Sequence, residues 1–119
     1  MFGPVRPAES SQILVEAIGS NDAEYFVQRL IEGGADVNYL NYTGHTPLTA
    51  AALAGKAGVV RMLLDAGADP LKPISLPESD YSMPDDPLDG MTPLQIAVAR
   101  GDNAISPMLR EAIIVSAKR

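Results

Sequence analysis

Apolar residues recur at helical spacing near the start of the chain. Residues 13–18 carry one apolar stripe and residues 26–31 carry a second, with polar residues between them. Apolar side chains three and four positions apart share one face of an α-helix. Ser10 or Ser11 is predicted to cap the first helix, and Gly33 to end the second. The pattern therefore predicts two helices that pack as one helix-turn-helix unit.

Two further units open on the same tripeptide, which is Thr46-Pro47-Leu48 in one and Thr92-Pro93-Leu94 in the other. Threonine is a good N-cap, and proline at the first helical position removes an N–H that has no helical partner anyway. Each tripeptide is followed by alanines, a glycine and a second apolar stripe, at residues 59–64 and 105–113. The chain is thus predicted to form six helices in three units.

A second repeated tripeptide closes two of these units. Gly34-Ala35-Asp36 recurs as Gly67-Ala68-Asp69, 33 positions later. A period near 33 residues is typical of stacked helical arrays, in which each unit buries its apolar face against its neighbours. The two aspartates are predicted to accept hydrogen bonds from the backbone of their own turns. No third copy follows Ile113, so the third unit closes differently.

Residues 41–70 resemble an ankyrin repeat. The resemblance is carried by Thr46-Pro47-Leu48, Ala51-Ala52, Gly55, Val59-Val60, Leu63-Leu64 and Gly67-Ala68-Asp69. Residues 89–113 keep the opening part of this signature, and residues 12–38 keep its closing part. The histidine usual after Thr-Pro-Leu is replaced by Thr49 and Gln95, which we expect to keep a hydrogen bond between adjacent turns.

The resemblance implies an all-α ankyrin-repeat solenoid of three helix-turn-helix units. We predict a repeat domain at residues 10–115, preceded by an irregular arm at residues 1–9 and followed by a tail at residues 116–119. The units are expected at about 10–40, 41–72 and 88–115. Terminal units of such arrays are usually atypical, and the first and third units depart from the signature as expected.

A long proline-rich loop is predicted between the second and third units, at residues 71–88. The two Thr-Pro-Leu tripeptides lie 46 apart, which is 13 more than the period. Five prolines between Pro70 and Pro87 oppose regular structure there. Residues 71–89 hold five acidic residues and one lysine, a net charge of −5 + 1 = −4. A loop of this length is either a binding element or a tolerated surface insertion.

Composition narrows the classes of partner. The 119 residues are 46% hydrophobic, carry a net charge of −6 and include no cysteine. This acidic balance argues against nucleic acid and anionic membranes as partners. It favours either a protein with a basic surface or a partner chosen without strong electrostatic preference. We see no secretory signal and no apolar run long enough to cross a bilayer. The absence of cysteine fits a reducing compartment, so a cytoplasmic location is expected.

Residues that carry chemistry are sparse. His45 is the sole histidine, and no nucleophile or acid beside it in the sequence completes a catalytic set. Asp85 and Asp86, with Glu78 and Asp80, do not have the spacing of a calcium loop. The glycines do not form a phosphate-binding motif. We therefore predict no catalytic site, no metal site and no cofactor, and a protein that is not an enzyme.

The resemblance implies protein recognition through a concave face built from hairpin fingers and inner helices. Tyrosine suits such surfaces because it offers a large rigid contact area with a polar tip. The candidate partner-binding residues are Tyr39, Tyr42, Thr43, His45, Leu53, Ala54, Tyr81, Met83, Asp85, Asp86, Leu88, Asp89, Met91, Ala99 and Arg100.

Two alternatives remain open at this point. The chain is an inhibitor or immunity-type protein whose acidic loop blocks a basic site on an enzyme or toxin. In the second alternative, the chain is a structural subunit that self-associates through the apolar residues Ile113, Ile114 and Val115 near its C-terminal end. Without such self-association we expect the chain to be a monomer.

Overall fold

The structure, a computed structural model, describes residues 7–41, 43–76 and 87–118, with the backbone alone for residues 7–12. Within these ranges the chain forms six α-helices and no strand. They are α1 Pro7–Ile18, α2 Ala23–Glu32, α3 Pro47–Ala54, α4 Ala57–Asp65, α5 Pro93–Ala99 and α6 Ile105–Ala117. The predicted all-helical class is confirmed.

The helices form two layers of three. Helix α3 contacts α1 and α5 in one layer, while α4 contacts α2 and α6 in the other. Each unit is a pair of contacting helices, α1 with α2, α3 with α4, and α5 with α6. We call α1, α3 and α5 the inner layer and α2, α4 and α6 the outer layer. Because each unit packs on the next, the architecture is the predicted solenoid.

A single apolar core runs through all three units. Its largest fully buried members include Leu14, Val27, Leu48, Leu63 and Leu109. Ala51 and Ala52 are also fully buried, in the middle of the inner layer. Their small side chains let α3 lie close to its neighbours at the dense packing that protein interiors require.

The two Thr-Pro-Leu helices begin with closed capping boxes. The Thr46 hydroxyl accepts a hydrogen bond from the Thr49 N–H at 3.1 Å, and the Thr49 hydroxyl accepts one from the Thr46 N–H at 2.9 Å. Gln95 closes the same box with Thr92 at the start of α5. The expectation that Thr49 and Gln95 bond between adjacent turns is therefore wrong. Each side chain instead accepts a hydrogen bond from the N–H of the N-cap residue of its own helix.

Helix α1 begins earlier than the sequence pattern predicts. It starts at Pro7, so residues 7–9 of the predicted irregular arm are helical and neither Ser10 nor Ser11 is the N-cap. The fixed φ of proline suits the first helical position, and the residues that follow Pro7 continue the helix. The predicted start of the repeat domain at residue 10 thus falls inside α1.

Helix α6 extends beyond the predicted domain end and includes the start of the predicted tail at 116–119. It runs to Ala117, and its residues 113–115 lie 46 positions after Gly67-Ala68-Asp69. Pro107 is its third residue, where the missing N–H has no helical partner. An Asp102 carboxylate oxygen accepts from the N–H groups of Ala104 and Ile105 at 3.0 and 2.9 Å. That carboxylate caps the helix and fixes its start.

The two Gly-Ala-Asp turns are tied together. The Asp36 carboxylate accepts from the Asn38 N–H at 2.8 Å, and the Asp69 carboxylate accepts from the Leu71 N–H at 2.9 Å, as predicted. The Asn38 amide then bridges the units. It donates to the Gly67 carbonyl at 3.2 Å and accepts from the Asp69 N–H at 2.6 Å. The aspartates are therefore structural.

Lys56 ties the second unit to the end of α1. Its ammonium donates to the carbonyls of Ile18 and Ser20, at 2.6 Å in each case. Carbonyls at a helix C-terminus lack helical partners, and a cation there also interacts favourably with the helix dipole.

We expect Lys56→Met to lower the free energy of unfolding by about 1–2 kcal/mol, because the methionine keeps the apolar stem but leaves both carbonyls without their charged donor. Urea unfolding followed by circular dichroism measures the change. Lys118→Met is the control, since Lys118 is exposed and its side chain makes no hydrogen bond in the described part of the chain. Equal losses in the two variants would contradict the role given to Lys56.

Candidate functional site

The first finger, residues 33–46, ends in a tight hairpin turn. The Asn41 N–H donates to the His45 carbonyl at 2.9 Å, and the Gly44 N–H donates to the Asn41 carbonyl at 3.0 Å. The buried Asn41 side chain organises this tip. Its amide oxygen accepts from the N–H and hydroxyl of Thr43 and from the His45 N–H, at 3.1, 2.7 and 2.9 Å. Thr43 and His45 are thereby held in fixed positions.

His45 is half-buried in the first finger. Its Nδ1 is buried and has no hydrogen-bond partner among the described residues. Burial lowers the pKa of the imidazole below its usual value of 6.5. The imidazole is therefore uncharged at neutral pH, so His45 contributes a neutral ring to the surface of the finger.

The second finger, residues 66–92, is also a paired hairpin at its base. The Ile74 N–H donates to the Met91 carbonyl and the Gly90 N–H donates to the Ile74 carbonyl, both at 2.9 Å. The Asp89 carboxylate accepts from the Leu76 N–H at 3.1 Å. The predicted irregular loop 71–88 is therefore ordered at both ends.

This pairing has a packing cause. Ile74 is 1% exposed and forms a second apolar cluster with Ala52 of α3 and Ile96 of α5. Burial of a whole isoleucine side chain stabilises by roughly 1.5–3 kcal/mol, which offsets the cost of ordering the hairpin ends. The prediction from proline content overlooked this single apolar anchor.

The two fingers are joined by a backbone hydrogen bond. The Ser75 N–H donates to the Gly44 carbonyl at 2.9 Å. Gly44 has a φ of 88°, and a Cβ at this position would collide with the Ser75 carbonyl. The Lys72 ammonium makes a second tie to the Asn38 carbonyl at 2.6 Å. The described parts of the two fingers therefore stack on each other.

Helix α3 begins directly after the first finger, and α5 begins directly after the second. Leu53 is half-buried near the end of α3 and packs on the second apolar cluster together with Leu88, Met91 and Leu76. Three of the predicted partner-binding residues are thus brought together. Sequence reasoning missed Leu76, although its position two residues after the buried Ile74 gave a signal of alternating apolar residues.

The remaining predicted site residues divide into three groups. Ala54, Ala99 and Arg100 are exposed at the ends of α3 and α5, and the Arg100 guanidinium lies 3.4 Å from where a Cβ on Gly55 would be. Tyr39 lies at the base of the first finger, where its N–H donates to the Asp36 carbonyl at 3.2 Å. Five others lie outside the described residues: Tyr42, Tyr81, Met83, Asp85 and Asp86.

The described residues contain no group of three His, Cys, Asp or Glu side chains placed to hold a metal ion. None of the helices in the described ranges combines the length and apolar character needed to span a membrane. What the geometry does provide is a finger surface on which Leu53, Leu88 and Met91 pack on one cluster and remain partly exposed. Such a surface suits contact with another macromolecule.

Comparison with known proteins agrees with the helical repeat architecture. A family model described as ankyrin repeats in three copies matches residues 5–74. The chain is 39% identical over 64 residues to 2-5A-dependent ribonuclease of Homo sapiens, covering 53% of this chain and 8% of that protein. It is 42% identical over 64 residues to mitochondrial disaggregase of Bos taurus, covering 54% and 9%.

A third relative is the ankyrin repeat, SAM and basic leucine zipper domain-containing protein 1 of Neofelis nebulosa, which is 36% identical over 67 residues, 56% of this chain and 14% of that protein. The chain therefore spans only a small part of the relatives it matches. Ankyrin repeats are generally protein-interaction modules and are typically not catalytic. Because the family model covers more than half of its residues, this chain belongs to the ankyrin repeat family.

Proposed function

We propose that the chain binds a partner protein through a concave surface, formed by the two fingers and the ends of α3 and α5. The observation that carries this proposal is the hydrogen bond from the Ser75 N–H to the Gly44 carbonyl, 2.9 Å long. It joins the fingers, so the residues they present are fixed before any partner arrives. A preorganised surface loses less conformational entropy on binding.

The chemistry of this surface supports the proposal. Leu53, Leu88 and Met91 are only partly buried, although they pack on a fully buried cluster. Interfaces commonly combine an apolar centre with a polar rim, and Asp89, which follows Leu88 in the chain, is exposed. A partner that covers the three apolar side chains completes their burial. Tyr39, Thr43 and His45 add contacts from the first finger.

The charge of the chain favours a partner with a basic surface. Four of the six net negative charges fall in residues 71–89, which include the central part of the second finger. The same concentration of charge also supports an alternative function, in which the chain is an inhibitor that blocks a basic site on an enzyme or toxin. Such a complex associates more slowly as ionic strength rises, since screening weakens electrostatic steering. We place this interaction in the cytoplasm.

The test uses substitutions that obstruct the surface without removing a buried group. Ala54→Arg with Ala99→Arg adds bulk at two exposed positions of the inner layer. Partners captured by the wild-type chain are identified by mass spectrometry, and the purified complex is then titrated. We expect the double variant to weaken binding at least about tenfold, since it inserts two long side chains into the interface.

The matched control is Ala66→Arg with Ala104→Arg, which adds the same groups at exposed turns flanking the outer helices. It should leave affinity within about twofold. Equal affinity in both double variants would contradict the proposal.

A loop deletion tests the acidic segment, and it should remove residues 77–86 only. A deletion that begins at residue 74 also removes the buried Ile74 and its pairing with Met91.

A further inference from the structure

A groove lies on the outer layer, between α4 and α6. Its volume is about 380 Å³. One wall is the turn Gly67–Pro70 together with the last turns of α4, and the other is the C-terminal half of α6. No residue of the inner layer lines it, and of the second finger only the first turn, Gly67–Pro70, does. None of the residues proposed for the concave surface is in its lining.

The groove exists because the repeat period breaks. In the first two units the outer helix stops at a glycine-containing turn, at Gly33 and at Ala66-Gly67. In the third unit, residues 113–115 take the place of Gly-Ala-Asp and continue the helix to Ala117. This extension places Ala112, Val115 and Ser116 opposite the turn of the second unit. A third glycine turn at that point would remove this wall.

The lining combines apolar and acidic groups. Leu64 and Met108 are half-buried, and Val115 is 48% exposed. The charged lining residues are Arg61, Asp65, Asp69 and Glu111, three carboxylates and one guanidinium. All four are exposed, and none of them forms an ion pair within the described ranges, where the single ion pair joins Arg29 to Glu32.

These charges have a direct consequence for what fits the groove. A ligand that pairs with the carboxylates must be cationic, because the lining carries a net charge of −3 + 1 = −2. A ligand that also covers Leu64, Met108 and Val115 must carry an apolar side chain. A small inorganic cation meets the first condition but not the second, and an anionic surface meets neither.

We propose that this groove binds a short basic segment of a partner protein, with one apolar side chain seated between α4 and α6 and lysine or arginine side chains paired with Asp65 and Glu111. This site goes beyond the concave surface and does not depend on it. A partner that engages both faces gains effective concentration at the second contact. Binding at the groove therefore adds to affinity without changing the recognition by the fingers.

The experiment titrates the full chain with a fluorescein-labelled peptide, Lys-Leu-Lys-Lys-Leu-Lys, and records fluorescence anisotropy. Two related peptides replace leucine by serine or lysine by glutamate. We expect saturable binding of the first peptide below about 1 mM, and binding at least fivefold weaker for the other two, because each lacks one of the two required groups. No binding of the first peptide at about 1 mM overturns the proposal.

Matched variants locate the binding. The double variant Asp65→Asn with Glu111→Gln should weaken the affinity for the peptide about tenfold. The control Glu16→Gln with Glu24→Gln removes the same charge from exposed positions outside the groove, and it should change the affinity less than threefold. Val115→Ser should weaken binding, whereas Ile114→Ser, at a neighbouring position that is 54% exposed and not in the lining, should not.

Equal effects of the two charge variants, or of Val115→Ser and Ile114→Ser, would show that the peptide is attracted by overall charge and would refute the groove. Light scattering of each protein controls for self-association through α6. The arginine variants of Ala54 and Ala99 should bind the peptide normally. Failure of the concave surface and failure of the groove are therefore separate results.

Discussion

The Leu63→Ala variant is expected to lose about 3–5 kcal/mol of unfolding free energy, which is a large share of the stability of a domain of this size. Leu63 is fully buried in the core that runs through all three units. It lies on α4, the central outer helix, which packs on α2, α3 and α6. Truncation removes methyl groups and leaves a cavity that the surrounding helices fill only in part. A loss of this size in the middle of the stack weakens both neighbouring units.

Urea unfolding followed by circular dichroism measures the loss, and Leu71→Ala is the matched control. Leu71 is 53% exposed, so the same atoms are removed from a side chain that is largely in water. Its loss should stay within about 0.5 kcal/mol. Comparable destabilisation of the two variants would mean that α4 is not the centre of the core.

The second large effect is expected from Gly44→Ala, with a loss of about 2–4 kcal/mol in unfolding free energy and weaker binding at the concave surface. Two costs combine at this residue. Its φ of 88° is strained for any residue with a Cβ. The added methyl group also collides with the Ser75 carbonyl, so the fingers must separate and the hydrogen bond from Ser75 to Gly44 is lost.

Gly67→Ala separates these two costs. Gly67 has a φ of 96°, but a Cβ there meets no atom within 4 Å. It should therefore show the backbone strain alone, about 1 kcal/mol. Amide hydrogen exchange gives a second measurement, because the Ser75 N–H should exchange faster in Gly44→Ala and not in Gly67→Ala. Equal losses and equal exchange in the two variants would contradict the stacking of the fingers.

The helices were predictable because their signals are local. Thr46 and Thr92 form their capping boxes with residues three positions later, so the bonds depend on little beyond the neighbouring sequence. The Gly-Ala-Asp turns are equally local, since each aspartate accepts from the N–H two residues on. The repeat period then placed the units in order, and the family resemblance supplied their stacking.

The second finger was harder to predict because its order depends on contacts that are distant in sequence. Ile74 pairs with Met91, 17 residues later, and packs on Ala52 and Ile96 in two different helices. A count of prolines carries no information about such a contact.

The candidate sites show the same division. Leu53, Leu88 and Met91 were chosen from their positions in the repeat, and the structure brings them together on one cluster. The groove between α4 and α6 had no sequence signal of its own. It results from the continuation of α6 beyond the point where the repeat predicts a turn, and only the packed structure shows which residues then face each other.

The bonds between units also differ in kind along the stack. Lys56 and Asn38 join the first unit to the second by directed side-chain hydrogen bonds. The described residues show no side-chain hydrogen bond from the first two units to α5 or α6, which pack through apolar contacts. The second junction therefore relies on non-directional apolar burial and on the backbone pairing of Ile74 with Gly90 and Met91, which holds the start of the third unit.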